Sequence, residues 1–187
     1  MSHSSQLVSF SAHFCRGRLP VAFVFSVPGT EEALKGKPVA GDTGENLDLA
    51  LVRLHAAHPS LFGSMHRYDY RITNAFSEPI AVALGHTASE AKNTEIRNPQ
   101  NVERVCQELQ GCSHVVLCGG KAKLLLEPLI KSGKVVVAVS HVGNKGLNKT
   151  FKLKVSDTVA SSSFRRKMRV GLWADDVLCR LGSEEAA

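Results

Sequence analysis

Asp42 stands in Ala40-Gly41-Asp42-Thr43-Gly44, just ahead of an apolar stretch with helical spacing. A carboxylate there has two uses: to cap the helix that follows, or to reach into a cleft and orient water. His141 directly follows the run VVVAVS, so its imidazole emerges where a buried strand ends. Such a histidine is either structural or a hydrogen-bonding and proton-carrying group. Behind it come Gly143, Asn144, Lys145, Gly146, Asn148 and Lys149. That mixture of exposed amides, side-chain donors and ammonium charge suits phosphate contact, and it equally suits a solvated turn. Gly119-Gly120-Lys121 opens a predicted helix, whose free amides, with Lys121 and Lys123, favour anions; the alternative is an ordinary strand-to-helix turn.

Other patterns are excluded. No GxxxxGK[ST] and no GxGxxG occurs, which removes a P-loop and a dinucleotide fingerprint. Cys106, Cys112 and Cys118 recur every six residues, but on a predicted helix, loop and strand, and Cys15 and Cys179 are remote. The spacing fits neither zinc nor an iron–sulfur cluster, so the thiols are expected in the core. His55, His58 and His66 lack a carboxylate ladder, and no metal site is expected there. Arg165, Arg166, Lys167 and Arg169 form a basic run that reads as a solvated face or as a contact to a DNA backbone.

The elements that must position these groups follow from periodicity. Four continuous apolar runs, residues 20–27, 70–74, 114–118 and 135–140, predict strands buried on both faces. Helices are predicted over 46–58, with Thr43 or Gly44 as its cap, and over 100–109, 121–132 and 162–181. Pro128 weakens the third of these. The alternation predicts an α/β chain, a three-layer α/β/α sandwich around a central four-stranded, mostly parallel sheet. Ligands of such sheets bind beyond the carboxyl ends of the strands. The loops at residues 28–44, 74–98, 119–121 and 141–150 therefore carry the functional question.

The chain has 187 residues, 43% hydrophobic and 21% charged, which predicts one domain (1–187) with frayed ends over 1–12 and 182–187. No uncharged run is long enough to span a bilayer, and residues 1–14 lack a basic lead into an apolar stretch, so neither a membrane span nor a secretory signal is expected. Five cysteines without a CxxC pair predict reduced thiols and a cytoplasmic location. A net charge of +6 permits a polyanionic partner and does not require one.

In order along residues 21–150, the loops resemble the uracil-DNA glycosylase superfamily. The resemblance rests on Phe25-Ser26-Val27-Pro28-Gly29, then the glycine-rich residues 36–44 (GKPVAGDTG), then Thr73-Asn74, then Ser140-His141. Ser26 and Val27 stand where many members carry an acidic or amide residue. In that respect the chain is similar to the branch with an apolar first turn and a catalytic Asp in a GD loop. Val39 stands where relatives commonly place an aromatic residue against the base, and His141-Val142-Gly143-Asn144 replaces the frequent His-Pro-Ser. No cluster cysteines of the kind some relatives use are present.

The resemblance implies hydrolysis of the N-glycosidic bond of a uracil or other modified base in DNA, by a monomer without cofactor or metal. Asp42 would steady the sugar cation and hold water, and His141 would donate to the departing base. Ser26, Val27, Pro28, Val39 and Asn74 would line the base pocket, Asn74 reading the base edge through its amide. Gly119, Gly120, Lys121, Gly143, Asn144, Lys145 and Asn148 would hold the DNA backbone. Two rivals stand beside this expectation: a glycosylase excising a bulky hypermodified base from foreign DNA in defence, and a nucleic-acid-binding module that lost the chemistry.

Overall fold

A computed structural model describes residues 10–152 and 161–185. In chain order it forms β1 (Phe10–Ser11), β2 (Phe14–Cys15), β3 (Val21–Phe25), α1 (Thr30–Lys35), α2 (Asp42–Ala57) and β4 (Arg71–Asn74). There follow α3 (Asn93–Ile96), α4 (Pro99–Glu108), β5 (His114–Cys118), α5 (Leu126–Lys131), β6 (Val135–Val139), α6 (Asn144–Phe151) and α7 (Ser162–Glu185). The strands make one mixed sheet in the order β1-β2-β4-β3-β5-β6. The three pairings among the four inner strands predicted from the apolar runs are parallel, and the expected four-stranded sheet is extended to six by an antiparallel β1–β2 hairpin on the edge of β4.

Register puts the strand ends on one line. Phe25 pairs with Asn74, Val24 with Leu117, and Cys118 with Val139, so the residues just beyond them share one edge of the sheet. Alternate residues of β3 go to opposite faces. Val21, Phe23 and Phe25 pack with Leu47, Leu51 and Leu54 of α2 and with Trp173 and Val177 of α7. Ala22 and Val24 pack with Val105 of α4 and Leu129 of α5. Burying both faces under helices is why these strands read as unbroken apolar runs.

Several local expectations are corrected. Residues 10–12 belong to the added hairpin, and α7 continues to Glu185, so these parts of the expected frayed ends are ordered; residues 1–9 and 186–187 lie outside the described residues. The helix expected from residue 46 starts at Asp42 with Gly41 as its N-cap, not at Thr43 or Gly44. Residues 121–132 split into a 3-10 turn, Ala122–Leu125, and α5, where Pro128 is the third helical residue and displaces no intrahelical donor. The loop expected at 141–150 is mostly α6, because Leu147 and Phe151, four apart, are both buried against the main core.

The glycine-rich loop before α2 is pinned under strain. Val39 has φ 45°, a left-handed conformation that costs a β-branched residue roughly 1–2 kcal/mol, and it is buried. Its neighbours hold it there. The Tyr68 hydroxyl donates to the Pro38 carbonyl at 3.1 Å, and the Ala40 amide donates to Glu32 Oε1 at 3.0 Å. Gly44 lies so close beneath that a Cβ on it would sit 1.9 Å from the Val39 carbonyl oxygen. Helix propensity alone would make Gly44→Ala stabilising by about 1 kcal/mol. The contact reverses the sign: chemical denaturation should find Gly44→Ala destabilised by at least about 2 kcal/mol, and a gain in stability would mean the loop does not rest on α2.

Candidate active site

His141 lies two residues past β6, where α7 supports it: the buried Trp173 indole donates to the Ser140 carbonyl at 2.7 Å. The Gly143 amide donates to His141 Nδ1 at 2.9 Å. A backbone N–H can only donate, so Nδ1 is the bare nitrogen and Nε2 carries the proton. Burial pushes the imidazole below its ordinary value of about 6.5, against the opposing pull of Glu90 and Glu32. The ring packs edge-on against Phe25 at 5.7 Å between centroids. The result is a neutral, oriented donor at the sheet edge.

Asp42 reaches the loop that follows His141 through α2. Its Oδ2 accepts from the Asn144 side-chain amide at 3.0 Å, although the residues are 102 apart in sequence. The helix-capping use of this carboxylate is overturned, since Gly41 is the N-cap and no side chain caps α2. A Cβ on Gly143 would meet His141 Nδ1 at 2.8 Å and the Thr43 hydroxyl at 3.0 Å, so the start of α2 and the imidazole flank one glycine. Asn46, fully buried, completes the joint. Its Nδ2 donates to the Val142 carbonyl at 2.9 Å and to Asn144 Oδ1 at 3.1 Å, and its Oδ1 accepts from Arg166 at 2.5 Å.

Asn74 ends β4 and is 4% exposed. Its carbonyl accepts from Arg104 at 3.0 Å, while its side-chain amide makes no hydrogen bond among the described residues. Arg104 is itself held by Glu108 at 2.6 Å, and that carboxylate also takes His13 Nε2 at 3.0 Å and the Thr73 hydroxyl. Among the described residues, Ser26 Oγ and Ser140 Oγ are buried without a partner just past the ends of β3 and β6. Unpartnered buried polar atoms are uncommon in proteins. These two hydroxyls lie, with the Asn74 amide, along the edge that ends in His141.

The remaining predicted residues divide. Pro28 is buried and its carbonyl accepts from Ile80, while Val27 packs on the second core cluster. Val39 belongs to the main core cluster, where its side chain packs. Gly119, with φ 102°, lies against His141, and Gly120 is exposed on another cavity. Lys121, expected on phosphate, donates instead to the Ala91 carbonyl at 2.7 Å and Asn93 Oδ1 at 2.9 Å. Asn148, also expected there, accepts from Arg169 at 2.9 Å. Lys145 is exposed in the first turn of α6.

Glu32 is a participant the sequence reading missed. Its two oxygens take the Gly29 amide at 2.9 Å and the Ala40 amide at 3.0 Å, tying the turn after β3 to the loop that presents Asp42. An acid three residues after Gly29 was the available signal, half of a capping box. Two open clefts lie elsewhere, about 480 Å³ between α6 and α7 and about 550 Å³ beside α5, and neither includes Asp42, Asn74 or His141. Compared with protein-family models and with curated proteins, the chain matches none.

At pH 7, nitrogen-15 NMR of the histidines should find His141 neutral with the proton on Nε2; a proton on Nδ1 would remove the donor. Glu108 gives a stability prediction. Burial raises its carboxyl, but the bonds from His13, Thr73 and Arg104 outweigh that and hold it below its ordinary 4.5. A depressed acid contributes stability that is present above its unfolded value and lost as pH falls through the folded one. Glu108→Gln should therefore cost about 2 kcal/mol at pH 7, and thermal melts should show the gap to wild type closing below pH 4.5. A gap independent of pH would mean the network stabilises by packing alone.

Proposed function

We propose that this chain is a DNA glycosylase, hydrolysing the bond between deoxyribose and a base turned out of the helical stack. What carries the reading is the neutral His141 with its Nε2–H fixed by Gly143, on the same strand-end edge as the uncommitted Asn74 amide. A base leaving its sugar gathers negative charge on its ring oxygen, and a pre-oriented neutral donor stabilises that charge in the transition state. The sugar meanwhile becomes cationic, as in other glycoside cleavages. Asp42 lies within one side chain of the loop that follows His141, and its only described partner is the uncharged Asn144 amide. As a carboxylate it would face the sugar and accept the proton of attacking water. Asn74 would pair with the donor–acceptor edge of the base. The cost of extruding the base, a few kcal/mol, falls to contacts with the DNA backbone.

One observation favours a second reading, a nucleic-acid-binding module without chemistry: Asp42, the group proposed to face the sugar, is exposed. Mass spectrometry of bases released from duplexes carrying uracil and a panel of damaged and hypermodified bases separates the two, and it also separates repair substrates from foreign ones. The expected result is release of one base class. Asp42→Asn and His141→Ala should each lower that release about 10²–10³-fold with DNA affinity unchanged. Binding without release from any substrate would leave the module reading in place.

A further inference from the structure

We propose that the cleft between α6 and the start of α7 binds a backbone phosphate of nucleic acid; the inference deepens the glycosylase reading and rests on it for the identity of the polymer. The cleft is open to solvent and has a volume of about 480 Å³. Asn144 and Asn148 line it from α6, and Ser162, Ser163, Arg165 and Arg166 from α7, with Arg169 alongside. None of the described lining residues is acidic.

Three independent features converge there. Guanidinium groups match phosphate as rigid forks, and these are oriented by the fold: Arg166 lies on Glu45 at 2.9 Å and on Asn46, and Arg169, 9% exposed, lies on Asn148. Two helices also begin at the cleft. The Ser161 hydroxyl takes the Phe164 amide at 3.1 Å, which leaves the first amides of the 24-residue α7, on Ser162 and Ser163, facing its opening turn without helical acceptors. α6 starts at Asn144 with no side-chain cap on Gly143. Lastly, Asn144 belongs to both places, lining the cleft and bonding Asp42 at 3.0 Å. A phosphate in the cleft is thus one side chain away from the group proposed to face the sugar, which is the separation a continuous strand requires and a free anion does not.

The test measures fluorescence anisotropy of a short labelled duplex that carries no excisable base, over a salt series, with the full chain. Arg165→Ala should weaken binding about tenfold or more and flatten the salt dependence by about 0.9 in log–log slope. Ser163→Glu sets a carboxylate in the first turn of α7, where the helix dipole favours it, so the melting temperature should hold while binding drops as far. Lys167→Ala removes the same charge from an exposed neighbour outside the cleft and should change affinity within about twofold. Inorganic phosphate should compete with the duplex. Equal losses in Arg165→Ala and Lys167→Ala, unimpaired binding by Ser163→Glu, or phosphate that binds without competing would each overturn the proposal. Because the probe offers nothing to excise, binding through Arg165 with no base release anywhere refutes the glycosylase reading alone, whereas base release with Arg165→Ala binding intact refutes the cleft alone.

Discussion

One buried amide holds the functional end of this molecule together. Asn46 reaches from α2 to the backbone carbonyl after His141, to the side chain of Asn144 at the head of α6, and to Arg166 of α7. A primary amide has two donor hydrogens and a carbonyl acceptor, and this one places its bonds on three separate elements. Buried polar networks that are satisfied in this way specify one arrangement, because every alternative strands a donor or acceptor in a low dielectric. The approach of Asp42 to the His141 loop is therefore fixed by a residue that touches neither of their reactive atoms.

A second clamp works from the other side. Glu32 draws the turn after β3 and the Val39 loop together, and the left-handed Val39 is held by Gly44 beneath and Tyr68 beside it. Strain of this size persists only where neighbours over-determine the backbone. What the two clamps share is α2, whose first turn rests on the strained loop and whose fifth residue anchors α6. The helix start that carries Asp42 is thus the meeting point of both constraints.

The inner strands were legible in the sequence because burial on two faces leaves no alternation to misread. The edge hairpin was not, since two residues per strand carry no period. α1 escaped because none of its residues is buried, so no apolar stripe marks it. α6 escaped because glycine, asparagine and lysine fill it between Leu147 and Phe151, and only that pair records its packing. Asp42, His141 and Asn74 could be picked out because each follows or precedes a legible element. The partners of Lys121 and Asn148 were not legible, for the opposite reason: a charge or an amide in a loop does not say which distant group it meets. The Ala91 carbonyl and Arg169 answered that only through the fold.

The separation of charge along this edge gives the proposed chemistry its logic. Asp42 bonds an uncharged amide, and the nearby imidazole is kept neutral by burial, so no described cation quenches the carboxylate. The arginines that would do so are turned away: Arg166 is held on Glu45 and Asn46, and Arg169 on Asn148, behind Asn144. An anion able to face a sugar cation thus sits on one side of α6's first residue, and guanidiniums able to face phosphate on the other. Had either arginine reached across, Coulomb attraction at such range would have tied up the carboxylate and emptied the cleft together. The neutral Asn144 between them keeps the carboxylate and the guanidiniums apart, which a lysine or aspartate at that position would not.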